Sequence, residues 1–130
     1  MSAPVVVYSP DLLLRQKLVS GIEAIGHTAL GAASETRLRS RLTDGASALI
    51  VEMDADGVDA VALLAELRKD PATTGLPIAG FCAHTREELI GEARDAGADI
   101  VVSRGAIVRK LPAIVDELLG VGDGEPPAAA

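Results

Sequence analysis

Aromatic residues are almost missing from this 130-residue chain, which has one Tyr, one Phe and no Trp. Their scarcity removes the stacking platforms on which single-stranded nucleic acids bind, and it requires a core built from Val, Leu, Ile and Ala. Cations are also scarce. Twelve Lys and Arg face 19 Asp and Glu, for a net charge of −7, so no basic face for a phosphate backbone is expected and direct nucleic-acid binding is set aside. A single cysteine, Cys82, excludes an intrachain disulfide and a Cys-rich zinc site. The two histidines, His27 and His84, lie too far apart to make a metal motif. No apolar run approaches the ~18 residues of a membrane span. No basic region precedes the first apolar residues, which Pro4, Ser9, Pro10 and Asp11 interrupt, so no signal peptide is expected and the default location is the cytoplasm.

What is present is an alternation of short apolar runs with amphipathic segments. "PVVVY" (Pro4–Tyr8) is β-branched and continuous, as in a strand buried on both faces. A helix is expected next, capped by Ser9, with Pro10 at its first position and Leu13, Leu14, Leu18, Ile22 and Ile25 as its apolar face, closed by Gly26. Further strands are read at His27–Ala32, Ala48–Met53, Ile78–Cys82 and Ile100–Ser103. Helices are read from Ser34 to Leu42, over Asp59–Lys69, from a Thr85/Glu88 capping box to Ala96, and from near Pro112 to Leu119. Residues 4–119 then form one domain, and 120–130, rich in Gly, Pro and Ala, a flexible tail.

Five strand–helix units in succession imply a parallel sheet covered on both faces, an α/β doubly wound (βα)5 architecture. In such folds the functional crevice lies beyond the carboxyl ends of the strands. There the sequence offers "IVEMDADG" (Ile50–Gly57), an apolar run ending in the carboxylates Glu52, Asp54 and Asp56. The spacing approaches a calcium loop, but Glu stands at its first position and Leu63 at its twelfth, so an acidic surface loop is the simpler reading.

The segments "VVVYSPDLLLRQKL", "ALIVEMDADGVDAVALLAELR", "LPIAGFCAHT" and "AGADIVVSR" together resemble the receiver domain of bacterial response regulators, of the chemotaxis-receiver type. Glu52 and Cys82 lie 30 residues apart, and Cys82 and Arg104 lie 22 apart, matching that family's site spacing. The resemblance implies a flavodoxin-like sheet in the order 2-1-3-4-5. It also implies a signalling module rather than an enzyme with its own substrate, and one that accepts a phosphoryl group on an aspartate after the third strand. An acid pair after the first strand holds Mg²⁺ in that family, and a Ser or Thr and a Lys after the fourth and fifth strands contact the phosphoryl oxygens.

In this chain those positions fall on other residues. The acid pair falls on Ser9 and Pro10, with Asp11 the nearest acid. The phosphoacceptor falls on Glu52, the hydroxyl residue on Cys82, the lysine on Arg104 and the aromatic switch residue on Val101. Pro10 has no ligating group, and Mg²⁺ wants near-octahedral oxygen ligation, so Mg²⁺ is not expected and no other cofactor is implied. Glu52 carries its carboxylate about 1.5 Å farther out than Asp would, a displacement costly to in-line transfer. A thiol is a weak donor, and a guanidinium is a planar fork where lysine is a point charge. A Glu52–Arg104 pair, with the guanidinium gripping the carboxylate bidentately, is the expected resting state of the crevice.

Three functions follow as expectations. The first is a degenerate, unphosphorylated pseudo-receiver that signals through protein–protein contact. The second is a receiver still phosphorylated, on Glu52 or Asp54, within a two-component phosphorelay. The third is a module binding a small ligand in the altered crevice. By the resemblance, the face of the fourth helix, fifth strand and fifth helix is the candidate surface for a partner or a homodimer. Cys82 beside Arg104 is weighed as a thiolate sensor against a buried core thiol. Arg37, Arg39 and Arg41 are weighed as an acidic partner's site against a solvated helix face. Three lysines against nine arginines point to a GC-rich bacterial source.

Overall fold

The structure is a computed structural model and describes residues 3–122. The strands are β1 (Val5–Tyr8), β2 (Ala29–Ala32), β3 (Ala48–Glu52), β4 (Ile78–Cys82) and β5 (Ile100–Ser103). They form one sheet in the order β2-β1-β3-β4-β5 with every pairing parallel. The helices are α1 (Leu12–Ala24), α2 (Glu35–Thr43), α3 (Ala60–Lys69), α4 (Glu87–Ala96), α5 (Arg104–Arg109) and α6 (Leu111–Gly122). This is the expected doubly wound (βα)5 sheet, with its last helix divided in two.

Strand alternation builds a core on each face. Val6, Tyr8, Leu49 and Val51 point to one side and pack with Leu38 of α2, Leu64 of α3 and Leu89 of α4. Val5, Val7, Ile50 and Phe81 point to the other and pack with Leu18 of α1, Ile107 of α5 and Val115 of α6. Each buried aliphatic side chain contributes about 1.5–3 kcal/mol. Aliphatic side chains therefore supply most of both layers, with Tyr8 in one and Phe81 in the other. Among the described residues no helix is long and apolar enough to cross a membrane.

Several boundaries differ from the sequence reading. Asp11 is the N-cap of α1, accepting from the Leu14 N–H, so Pro10 lies outside the helix and Ser9 serves elsewhere. Leu14, Leu18 and Ile22 form the inward stripe. Leu13, about 100° round the helix, is 78% exposed, and Ile25 falls past the end. His27 still donates its N–H to Ile22 O in the turn closing α1, so β2 begins at Ala29. Met53 donates its N–H to Phe81 O just past the end of β3. Thr85 does not cap α4. The Arg86 N–H is spent in a turn on Ala83 O, and Arg86 is the boundary residue without a side-chain cap. Ser103 caps α5, and α6 starts one residue before Pro112, where a missing N–H costs nothing. Helix α6 continues to Gly122, past the expected start of the tail at 120; the rest of that tail lies outside the described residues.

At the amino edge of the sheet Arg68, in the last turn of α3, ties two loops, α3–β4 and α4–β5. Its guanidinium donates to Gly97 O at 2.7 and 3.0 Å, to Leu76 O at 2.6 Å, to Thr74 O at 3.0 Å and to Asp99 Oδ2 at 3.1 Å. Gly97 has φ +122°, and an added Cβ would come within 2.5 Å of Arg68, so no other residue fits the clamp. Arg68→Ala should cost about 1–3 kcal/mol in urea unfolding. Arg68→Lys should recover less than half of that, because a point charge cannot serve a fork's several directions.

Candidate functional site

Parallel register sets the site. Tyr8 lies opposite Val51, so Ser9 emerges from β1 beside Glu52 at the end of β3. Cys82 lies opposite Ser103, so Arg104 leaves β5 one strand beyond β4. Two strand spacings, about 10 Å, separate Arg104 from Glu52, and an arginine is long enough to cross them. It does so over the Phe81 ring, with Cζ 5.9 Å from the ring centroid.

Glu52 is buried, and both of its oxygens are engaged. Ser9 Oγ donates to Oε1 at 2.7 Å, and Arg104 Nη2 donates to Oε2 at 3.0 Å. The guanidinium grip is thus single rather than bidentate, because Ser9 holds the other oxygen. Ser9, fully buried, also accepts from the Asp11 N–H at 3.1 Å, and its carbonyl accepts from Arg15 Nη1 at 2.7 Å. Asp54 Oδ2 accepts from the Ala83 N–H at 3.0 Å, tying the loop after β3 to the loop after β4. Its Oδ1 is buried without a hydrogen-bond partner, 3.7 Å from Arg104 Nη2. One guanidinium therefore hydrogen-bonds one carboxylate and lies within ion-pair distance of a second.

The other sequence-predicted residues divide clearly. Ser9, Glu52 and Arg104 come together. Asp11 is exposed and caps α1, and Pro10 is exposed beside it. Val101 is a buried core residue under α4. Cys82 is fully buried, and its thiol is pushed up chiefly by burial and further by Asp54, against the weaker pull of Arg86 and Arg104 downward. Of the two readings weighed for Cys82, its burial supports the core thiol over the thiolate sensor. His84 is exposed on the loop. Of the arginines on α2, Arg39 pairs with Glu35 and Glu66, and Arg41 Nε donates to Gly31 O, so the cluster is largely spent inside the fold. Sequence reasoning missed Arg15, Ala83 and Phe81 as parts of the site. The first two act through or on backbone groups, and Phe81 is a core residue by pattern.

A doubly wound β2-β1-β3-β4-β5 sheet with its polar cluster beyond the carboxyl ends of β1, β3 and β5 is the fold of response regulator receiver domains. The chain matches the response regulator receiver domain protein (CheY-like) from Methanospirillum hungatei JF-1 with a TM-score of 0.84 and 15% identity, over 97% of this chain and 100% of that one. It matches the receiver domain of NtrX from Brucella abortus with a TM-score of 0.80 and 19% identity, over 89% and 98%. Against a longer NtrX chain it scores 0.84 at 20% identity, covering 95% of this chain and 28% of that one. At these identities the likeness is one of fold. No family model matches the sequence, and no curated protein matches it.

Arg104→Ala leaves a buried carboxylate with only Ser9, and should cost about 1–3 kcal/mol by chemical denaturation. Adding Glu52→Gln to that variant should recover part of the loss, since a neutral amide needs no counter-charge; the double-mutant cycle reads the coupling. The thiol of Cys82 and the phenol of Tyr8, the latter raised by burial and then by Glu35 and Glu52, both hold their protons more tightly folded than unfolded. Their contribution is intact below the unfolded thiol value of roughly 8.5 and is lost as pH rises beyond it. The urea midpoint should fall between about pH 8 and pH 10, and a thiol reagent at pH 8 should label Cys82 only as fast as the chain unfolds.

Proposed function

We propose that the chain is an atypical receiver, a cytoplasmic signalling adaptor that works through protein contacts without phosphorylation at the strand-end position. The observation that carries this reading is the closed state of Glu52, whose two oxygens are taken by Ser9 and Arg104. Each oxygen of that carboxylate already accepts a hydrogen bond, one of them from a cation, which lowers its nucleophilicity toward phosphorus. To attack, it would have to give up a charge-assisted bond in a buried site.

The donor set also fits Mg²⁺ poorly. Pro10 supplies no ligand, the Ser9 hydroxyl is turned to Glu52, and the Arg104 guanidinium sits within 3.7 Å of Asp54 where a cation would have to go. Among the described residues no group of three or more His, Cys, Asp or Glu is placed to hold a metal. The network instead imitates, weakly, the charge pairing a phosphoryl group would make. Glu52 brings one negative charge where phosphate brings about 1.5 to 2. The crevice is thereby held in one arrangement with no covalent input.

Partner contact through the face of α4, β5 and α6 belongs to the same proposal. Its helices carry exposed charges of both signs, among them Arg94 and Asp95 on α4 and Asp116 and Glu117 on α6, with Arg109 beside them at the end of α5, which suit a polar, reversible contact with a partner protein or a second copy.

Acetyl phosphate with Mg²⁺, followed by intact-mass measurement, tests the reading. The expected mass is unchanged. A gain of one phosphoryl group that disappears with Glu52→Gln or Asp54→Asn would overturn it in favour of a working phosphorelay receiver.

A further inference from the structure

The α3–α4 side of the molecule carries a groove that the Glu52 network does not use. It measures about 560 Å³. Met53, Ala60 and Leu89 are buried in its floor, Val58 and Val61 are half-buried in its walls, and Asp59 and Glu92 stand exposed at its mouth. A smaller depression along α4 shares Leu89 and Glu92 with it and adds Glu87 and Glu88, with Arg86 as the cation beside them.

Arg86 aside, the charge around this groove is acidic. Asp56 and Asp59 precede α3, and Glu88 and Glu92 sit one turn apart on α4, a spacing at which like charges repel. Among the described residues none of these four takes part in an ion pair. Asp59 caps α3 through the Ala62 N–H, which leaves its charge uncompensated. A trough of mixed lining, with Val58 and Val61 half-buried in its walls and acids without an ion-pair partner at its rim, fits a ligand with the reverse pattern, apolar side chains on one face flanked by Lys or Arg.

We infer that this groove docks a basic amphipathic segment of a partner protein, its apolar side chains over Val58, Val61 and Leu89 and its cations against Glu88 and Glu92. The chain's own last residues do not suit the seat, because "DGEPPAAA" (123–130) carries Asp123 and Glu125 and no basic residue. A two-fold dimer through the groove would set one acidic rim against another. The inference rests on the adaptor reading and gives it a second surface, distinct from the face of α4, β5 and α6.

The test is a titration of the full isotope-labelled chain with three synthetic peptides. One is a Leu/Lys helix with its leucines on one face, one has the same composition scrambled, and one has Glu in place of Lys. The first peptide should bind and shift the amides of Val58, Val61 and Leu89. The scrambled peptide, and the first peptide on Glu88→Lys/Glu92→Lys, should bind about tenfold more weakly. The acidic peptide should not bind, and the thermal midpoint of the double variant should be no lower than that of the parent. Equal binding of the scrambled peptide, shifts centred elsewhere, or self-association in sedimentation that the double variant abolishes would each overturn the proposal. Intact mass of the same samples after acetyl phosphate separates the two claims. A phosphoryl gain sinks the unphosphorylated reading and leaves the groove data standing, whereas lost groove binding at unchanged mass sinks only the groove.

Discussion

A five-stranded parallel sheet buried on both faces can hold ionisable groups only where its strands end. That constraint organises the molecule. Tyr8, Val51, Phe81 and Cys82 are sealed under helices, and the next residues outward, Ser9, Glu52 and Arg104, carry the polar chemistry. Glu52 is the exacting member, because a buried carboxylate must have its oxygens satisfied. A hydroxyl from β1 and a guanidinium from beyond β5 do so, and in doing so link three of the five strand ends.

The two edges of the sheet use the same residue type in opposite ways. At the amino edge Arg68 spends its donors mainly on backbone carbonyls and fixes the loops around α3, β4 and β5. At the carboxyl edge Arg104 spends its charge on side chains and leaves one acceptor, Asp54 Oδ1, unserved at 3.7 Å. The first arrangement is a staple. The second keeps a competing carboxylate close to the one it serves, so the crevice is held by a single shared cation. The loop after β3 also lines the α3–α4 groove through Met53, Val58 and Asp59, so the groove and the shared cation meet at one loop.

How far the chain could be read in advance differs by element. Strands β4 and β5 were legible to the residue, because continuous β-branched or apolar runs bounded by Pro77, Asp99 and Ser103 leave little choice. Helix starts were harder. Ser9 and Thr85 have the chemistry of N-caps, yet neither caps. Ser9 is drawn to Glu52, 43 residues away, and Arg86, one residue past Thr85, is committed to a turn set by the β4–α4 loop. Leu13 fits a helical stripe by spacing, but a helix that starts at Leu12 turns it to solvent. Cys82 and Arg104 looked like neighbours in an open crevice, and the sheet put the thiol under α4 instead.

The sequence by itself determined the α/β alternation, the five strands and the row of unusual residues that end them, because each rests on local pattern and on spacing along the chain. The resemblance already paired Glu52 with Arg104; tertiary structure alone decided that Ser9 joins them and that each donor takes one oxygen. Parallel register brings Ser9 and Glu52 side by side and lets Arg104 span β4, and side-chain reach decides that one oxygen goes to each donor. No local pattern encodes a contact between residues 43 and 52 positions apart. It exists only once the sheet has fixed the distance between strand ends.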